Sequence, residues 1–283
     1  MESYVERIKS SPEYRIAMQL NAARQSMTEM TPKLDLPELV KSDLVRTLNR
    51  FFRDQANKLL DSGGDSPSMT LLATQCGSDR AEKGYTEIYG SRFSDMRKDA
   101  KAILEIGASA PQNANIELWK QYFPTARVHC AYPSAPASLC KSDTVEAELF
   151  AMDARVTLHK LDKLNRDDVK RFYASMAPGF FNVIVDRHTA DAPLSDHMVL
   201  GSLFHLVRPG GEFIVENAER CLRLQMTLQQ WNETDKWESD DWTPAQLAFL
   251  TAEVAYANMY TTERGSKCAV FRRRRSDEVI VRL

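Results

Sequence analysis

Ala102-Ile-Leu-Glu-Ile-Gly-Ala-Ser109 is the stretch that decides the fold. Ala102, Ile103, Leu104 and Ile106 form an apolar run of the kind buried in a parallel sheet, and the run stops at Gly107. A glycine there lets the backbone turn tightly and lets a ligand approach it closely. Asn113 to Phe123 reads as a helix, with Ile116, Trp119, Lys120 and Phe123 at core-facing or boundary spacings. Strand, glycine turn and helix open a doubly wound α/β domain, whose ligand site lies at the carboxyl ends of the strands. Gly107 is followed by Ala108 and Ser109, so a full glycine-rich phosphate fingerprint is absent.

Downstream, the strand-helix alternation continues. Strands are expected at Arg127 to Pro133, Val156 to Leu161, Phe180 to Asp186 and Glu212 to Glu216. The helices between them are expected over about 144 to 152, Arg166 to Met176 and Leu194 to Val207, the last stopped by Pro209-Gly-Gly211. Such alternation argues for parallel pairing with right-handed crossovers. Cys221 to Asp241 breaks the rhythm with Met226, Trp231 and Trp237, and Trp242 follows, so the segment reads as a substrate wall or lid, or as a packing surface for a partner subunit. Pro244 to Tyr256 is then expected as helix. Asn258 to Glu263 and Lys267 to Arg273 read as a terminal antiparallel hairpin. The run Arg272 to Arg275 reads as the solvated end of an edge strand, with anion contact as the alternative.

Upstream, residues 12 to 60 look helical, and Leu36, Val40, Leu44, Leu48, Phe51, Phe52 and Leu59 form an apolar stripe. The stripe has to bury against the α/β domain or against a second subunit, which makes a homodimer through this extension an expectation. Ser62-Gly-Gly-Asp-Ser-Pro-Ser68 connects it to the rest. The chain therefore divides into a helical extension, 1–66, and an α/β domain, 67–283, with an aromatic-rich insertion around 219–242. Thr74-Gln-Cys-Gly-Ser-Asp-Arg80 with Tyr85 reads either as a surface loop or as a loop folded over the sheet edge, which would bring Asp79 and Tyr85 near a ligand.

The formal net charge of −2 over 283 residues gives no global bias toward nucleic acid. No apolar stretch approaches the length of a membrane span, and Met1-Glu-Ser-Tyr-Val-Glu lacks the apolar core of a secretion signal, so none is expected. Five scattered cysteines suit a reducing, cytoplasmic setting, and no zinc spacing appears.

Several stretches coincide with a known family. Thr74-Gln-Cys-Gly-Ser-Asp79 with Gly84-Tyr85, Leu104-Glu-Ile-Gly107 and Leu118-Trp-Lys-Gln-Tyr-Phe-Pro124 resemble the macrocin-type O-methyltransferases, as do Val183-Ile-Val-Asp186, Leu203 to Gly211 and Phe213-Ile-Val-Glu-Asn217. The likeness covers roughly residues 69 to 265. It implies a class I S-adenosylmethionine-dependent methyltransferase fold, Rossmann-like with a terminal antiparallel hairpin. It also implies a small-molecule substrate, such as a sugar hydroxyl of a bulky natural product, in secondary metabolism.

At the catalytic positions the chain departs from the family. The family's fourth strand ends in Asp-Asp-Gly-Ser-His, where the second acid binds metal and the histidine is the base; this chain has Asp186-Arg187-His188-Thr189-Ala190. The family's metal-binding Glu-Asp pair becomes Glu216-Asn217, and the acid that holds the ribose becomes Tyr132-Pro133. Magnesium prefers several oxygen ligands, so it is not expected here, and Arg187 is expected to ion-pair with Glu216. Candidate cofactor contacts are Asp79, Tyr85, Glu105, Gly107 and Tyr132. The candidate catalytic group is His188, with Asp186 or Asp191 orienting it and Arg187 beside it; the alternative is that His188 is a polar loop residue. Two functions lead, ahead of a different cofactor or nucleotide enzyme on the same architecture and of an unrelated binding module. One is a repurposed or accessory methyltransferase-like protein, a pseudoenzyme for methyl transfer. The other is a metal-independent S-adenosylmethionine O-methyltransferase using His188.

Overall fold

The computed structural model describes residues 67–107, 114–132, 153–187, 195–234 and 236–278, together with Ser26 and Met30. Three short helices come first, α1 (Met69–Cys76), α2 (Asp79–Lys83) and α3 (Tyr85–Phe93). Then β1 (Ala102–Ile106), α4 (Ala114–Tyr122), β2 (Arg127–Tyr132), β3 (Val156–Lys160), α5 (Arg166–Ser175), β4 (Phe181–Arg187), α6 (Ser195–Leu203) and β5 (Val207–Glu216) alternate. The described chain closes with α7 (Leu222–Thr234), α8 (Pro244–Glu253), β6 (Val254–Thr261) and β7 (Lys267–Arg273).

The strands form one sheet in the order β3-β2-β1-β4-β5-β7-β6. β1 to β5 run parallel, and β7 inserts antiparallel between β5 and β6. Every residue of β1 is buried, because helices cover both faces. On one face, Met69 and Leu72 of α1, Tyr89 and Phe93 of α3 and Trp119 of α4 pack on Ile103, Val128 and Val185. On the other, Phe172 of α5, Leu203 of α6, Leu224 of α7 and Leu250 of α8 pack on Leu104, Ile184 and Phe271. The α/β class, the parallel centre and the terminal antiparallel hairpin match the sequence reading.

Three expectations need correction. Pro209-Gly-Gly211 does not precede the fifth strand but lies inside it: Phe181 pairs with Val207 and Val183 with Glu212, so the intervening residues bulge out. β7 is an interior strand, and its arginines are used within the fold. Arg272 donates to Glu278, Arg273 to Glu253 and to the carbonyls of His205 and Val207, and Arg274 to the Ala252 carbonyl. The tryptophans are not a substrate wall. Trp237 and Trp242 are buried in the core, Trp231 stacks on Trp237 at 5.2 Å, and the Trp242 indole donates to the His197 carbonyl at 2.6 Å. A β-carbon at Gly201 would fall 2.4 Å from the Trp242 ring, so a glycine on α6 is what admits that ring.

The extension 1–66, with its apolar stripe, and the helix expected over 144 to 152 fall outside the described residues, Ser26 and Met30 apart. Among the described residues no helix is long and apolar enough to cross a membrane.

Candidate functional site

Strand order reverses direction between β1 and β4, and in open α/β sheets the ligand crevice lies outside the carboxyl ends of the strands at that switch point. Gly107 leaves β1 there with φ of 78°, and its N–H donates to the Ala131 carbonyl at 3.0 Å. A β-carbon at this position would meet the Arg187 carbonyl at 2.8 Å. Glycine is therefore demanded twice, by the left-handed turn and by the approach of the two strand ends. Tyr132, partly exposed, ends the neighbouring strand, and its carbonyl accepts from the Leu161 N–H at 2.8 Å.

Beneath this edge lies a buried ion cluster. The hydroxyl of Ser78 caps α2 and also donates to Asn115 at 2.6 Å. Gly84, with φ of 78°, ends that helix after five residues. The short helix aims Arg80 into the interior, where it is fully buried between Glu216 of β5 and Glu105 of β1. Its Nε donates to Glu216 Oε1 at 2.5 Å, and its Nη1 to Glu105 Oε2 at 3.3 Å. Tyr89 donates to Glu216 at 2.6 Å, Trp119 to Glu105 at 2.6 Å and Asn115 to Glu105 at 3.3 Å. The guanidinium also lies over the Trp119 ring, 4.9 Å from its centroid. Burial works against the charge on Arg80, but Glu105 and Glu216 outweigh it and hold the pKa well above its usual value. Burial, reinforced by Glu216, pushes the Tyr89 phenol up.

The expected contact of Arg187 with Glu216 is thus corrected: Arg80 takes Glu216, and Arg187 turns to Asp79. The Glu105 carboxylate, an expected cofactor contact, is turned to the interior, where it accepts from Arg80, Trp119 and Asn115 and ties α2 and α4 to β1. Tyr85 is likewise buried; its hydroxyl accepts from the Asn217 N–H at 2.9 Å and lies 3.2 Å from the Lys267 carbonyl, to which it donates. Those bonds hold Asn217 in the left-handed region, φ 54°, immediately after β5.

Above that buried layer, a second cluster is open to solvent. Asp79 pairs with the Arg187 guanidinium and, at 3.0 Å, with Lys83; all three side chains are partly exposed. Lys83 also reaches Asn217 Oδ1 at 3.4 Å. Partial burial raises the Asp79 pKa, but Arg187 and Lys83 overcome it and leave the carboxyl below its usual value. Asp186 is fully buried at the end of β4, where Lys163 donates to it at 2.8 Å. The structure thus brings Asp79, Gly107, Asp186 and Arg187 to one edge, with Tyr132 ending the adjacent strand. His188 lies outside the described residues. The sequence reading missed Arg80, Lys83, Tyr89 and Lys163. Only the Ser78 and Gly84 that bound α2 hinted that Arg80 would be forced inward.

A hard divalent cation does not fit these groups. Glu216 accepts from Arg80 and Tyr89, a cation stands at residue 187, and among the described residues no group of three His, Cys, Asp or Glu could hold a metal. Arg187, Lys83 and Asp79 instead present charges of both signs, partly exposed, at the strand ends.

No family model matches the sequence, and no curated protein matches it. Solved structures match in fold. MycE methyltransferase from the mycinamycin biosynthetic pathway, in complex with Mg and SAH, is 18% identical with a TM-score of 0.54 over 87% of this chain and 60% of that one. The same enzyme with Mg, SAH and mycinamycin VI is 16% identical with a TM-score of 0.57 over 88% of this chain and 66% of that one. This chain has the methyltransferase fold and spans about three fifths to two thirds of the length of those chains.

Proposed function

We propose that this chain binds S-adenosylmethionine in the crevice between β1 and β4 and methylates a hydroxyl of a bulky natural product without a divalent cation. The observation that carries the reading is the Arg187–Asp79 ion pair at the end of β4. It places a fixed cation, already neutralised by the protein, at the position where the resemblance would put a metal-binding acid. The cofactor, when bound, supplies a methyl group activated on a sulfonium sulfur. Arg187 and Lys83 would hold its carboxylate, Asp79 its ammonium, and Tyr132 the ribose side, with the Gly107 turn admitting the backbone contact. Methyl transfer to a hydroxyl asks the protein for alignment, a proton acceptor and exclusion of water. His188 is the proposed acceptor, and the buried Asp186 fixes the strand end that carries it. MycE, with SAH and mycinamycin VI bound, supports a large small-molecule acceptor.

A second reading is favoured by one feature. Glu105 and Tyr85, two of the five expected cofactor contacts, have their polar atoms turned to the protein. On that reading the crevice serves another reaction or an accessory role. Transfer of labelled methyl from S-adenosylmethionine to a panel of hydroxylated macrolides and glycosides, with chelator present, separates the two. Labelling that His188→Ala abolishes supports the methyltransferase. No labelling across the panel together with no saturable cofactor binding by calorimetry supports the repurposed or accessory protein and sinks the methyltransferase.

A further inference from the structure

Lys163 follows β3 in the turn that leads to α5, and nothing in its sequence context marks it. It is only 7% exposed. Its ammonium donates to Asp186 Oδ1 at 2.8 Å and to the main-chain carbonyl of Arg187 at 3.0 Å. The turn is built to present it: Asp162 Oδ1 accepts from the Leu164 N–H at 2.9 Å, and Asp168 accepts from the Asp162 N–H at 3.2 Å. Removing a lysine and an aspartate from water is costly, so a pair like this persists only with close geometry and further hydrogen bonds.

The Arg187 carbonyl is the group on which the strand ends converge. Ile106 and Asp186 lie in register on β1 and β4, and the same carbonyl is what forbids a β-carbon at Gly107. Gly107 in turn is tied through its N–H to Ala131 of β2. One ammonium therefore holds the end of β4 at the point where β1 turns. The Arg187 side chain leaves the same point for Asp79 on α2.

We propose that Lys163 is a positioning residue of this edge, a fixed organic cation that sets the end of β4 and, through it, the Gly107 turn. Its bearing on the donor rests on the cofactor-binding reading above; the coupling to Gly107 does not. A lysine supplies charge and directed donors, but no open coordination position for an incoming ligand.

The test is amide hydrogen exchange on the full chain, comparing Gly107 with Leu104. It uses Lys163→Met, Lys163→Arg and the double variant Lys163→Met/Asp186→Asn, which removes both charges of the pair together. Gly107 exchange is expected to quicken by about tenfold or more in the double variant, with Leu104 unchanged and Lys163→Arg closer to wild type. SAH affinity should fall by about tenfold in the same variant. Wild-type protection of Gly107 in the double variant overturns the proposal, as does a saturable slowing of wild-type Gly107 exchange by magnesium. If wild type binds no SAH while Gly107 responds as stated, the cofactor reading falls and the positioning role stands.

Discussion

Replacing Arg80 with methionine tests the layer beneath the site. The substitution keeps most of the apolar stem and removes the guanidinium that faces Glu105 and Glu216, whose side chains are 1% and 2% exposed. Breaking a buried ion pair by deleting one partner costs about 3–5 kcal/mol, because the remaining charge stays desolvated. Two carboxylates are stranded here, which pushes toward the upper figure. Tyr89, Trp119 and Asn115 still donate to them, which keeps the cost from doubling. Against a typical total of roughly 5–15 kcal/mol, Arg80→Met should lower the melting temperature by about 10 °C or more. The companion variant Arg80→Met/Glu105→Gln/Glu216→Gln removes all three charges and keeps oxygen acceptors for Tyr89 and Trp119. It should recover part of the loss, since no charge stays desolvated, the remainder being the amide donors left facing the methionine. Urea unfolding followed by tryptophan fluorescence gives both numbers. A single-variant cost below about 1 kcal/mol, or a triple variant no better than the single, would refute the assignment of Arg80 as the cation that locks α2 to the sheet.

Four further outcomes are expected. His129 Nδ1 and His159 Nε2 are 2.8 Å apart, and burial, then His159 and Arg127, lower the His129 pKa to about 4. Its folded value lies below the unfolded one of about 6.5, so its contribution is complete above that pH and is lost as pH falls toward 4. Stability should drop by up to roughly 3 kcal/mol across that window, and His129→Gln should flatten the drop in urea titrations at stepped pH. Gly107→Ala should destabilise by about 1–3 kcal/mol, measured by thermal melting, because it adds a side chain at positive φ against the Arg187 carbonyl. Trp237→Ala should cost about 3–5 kcal/mol as a core deletion while leaving SAH affinity within about twofold; a selective loss of affinity would return the tryptophans to a ligand wall. Asp79→Asn should change stability by less than about 1 kcal/mol, since its ion pairs are partly solvated, yet weaken SAH binding clearly in calorimetry.

The sheet was readable from sequence because its signals are local and redundant. Ala102 to Ile106 and Phe181 to Asp186 are apolar runs that only a doubly covered parallel sheet accommodates, and Gly107 marks where the first one turns. Pro209-Gly-Gly211 misled because these residues commonly end strands, whereas here a bulge in β5 absorbs them. The tryptophans misled because residues 235–243 hold no other apolar group, so nothing local shows that Trp237 and Trp242 fold back onto α6 and the sheet. The site was legible in its parts and not in its pairings. Asp79, Asp186, Arg187 and Glu216 were all in view, but which cation meets which carboxylate depends on contacts across more than a hundred residues. Arg80 to Glu216 and Arg187 to Asp79 are both of that kind.

The claim that most depends on these pairings is that internal cations stand where a metal would. Titrating SAH into the full chain calorimetrically, first with chelator and then with millimolar magnesium, tests it directly. The account predicts saturable binding of the same affinity in both buffers; binding that appears only with magnesium, or no binding in either, would contradict it.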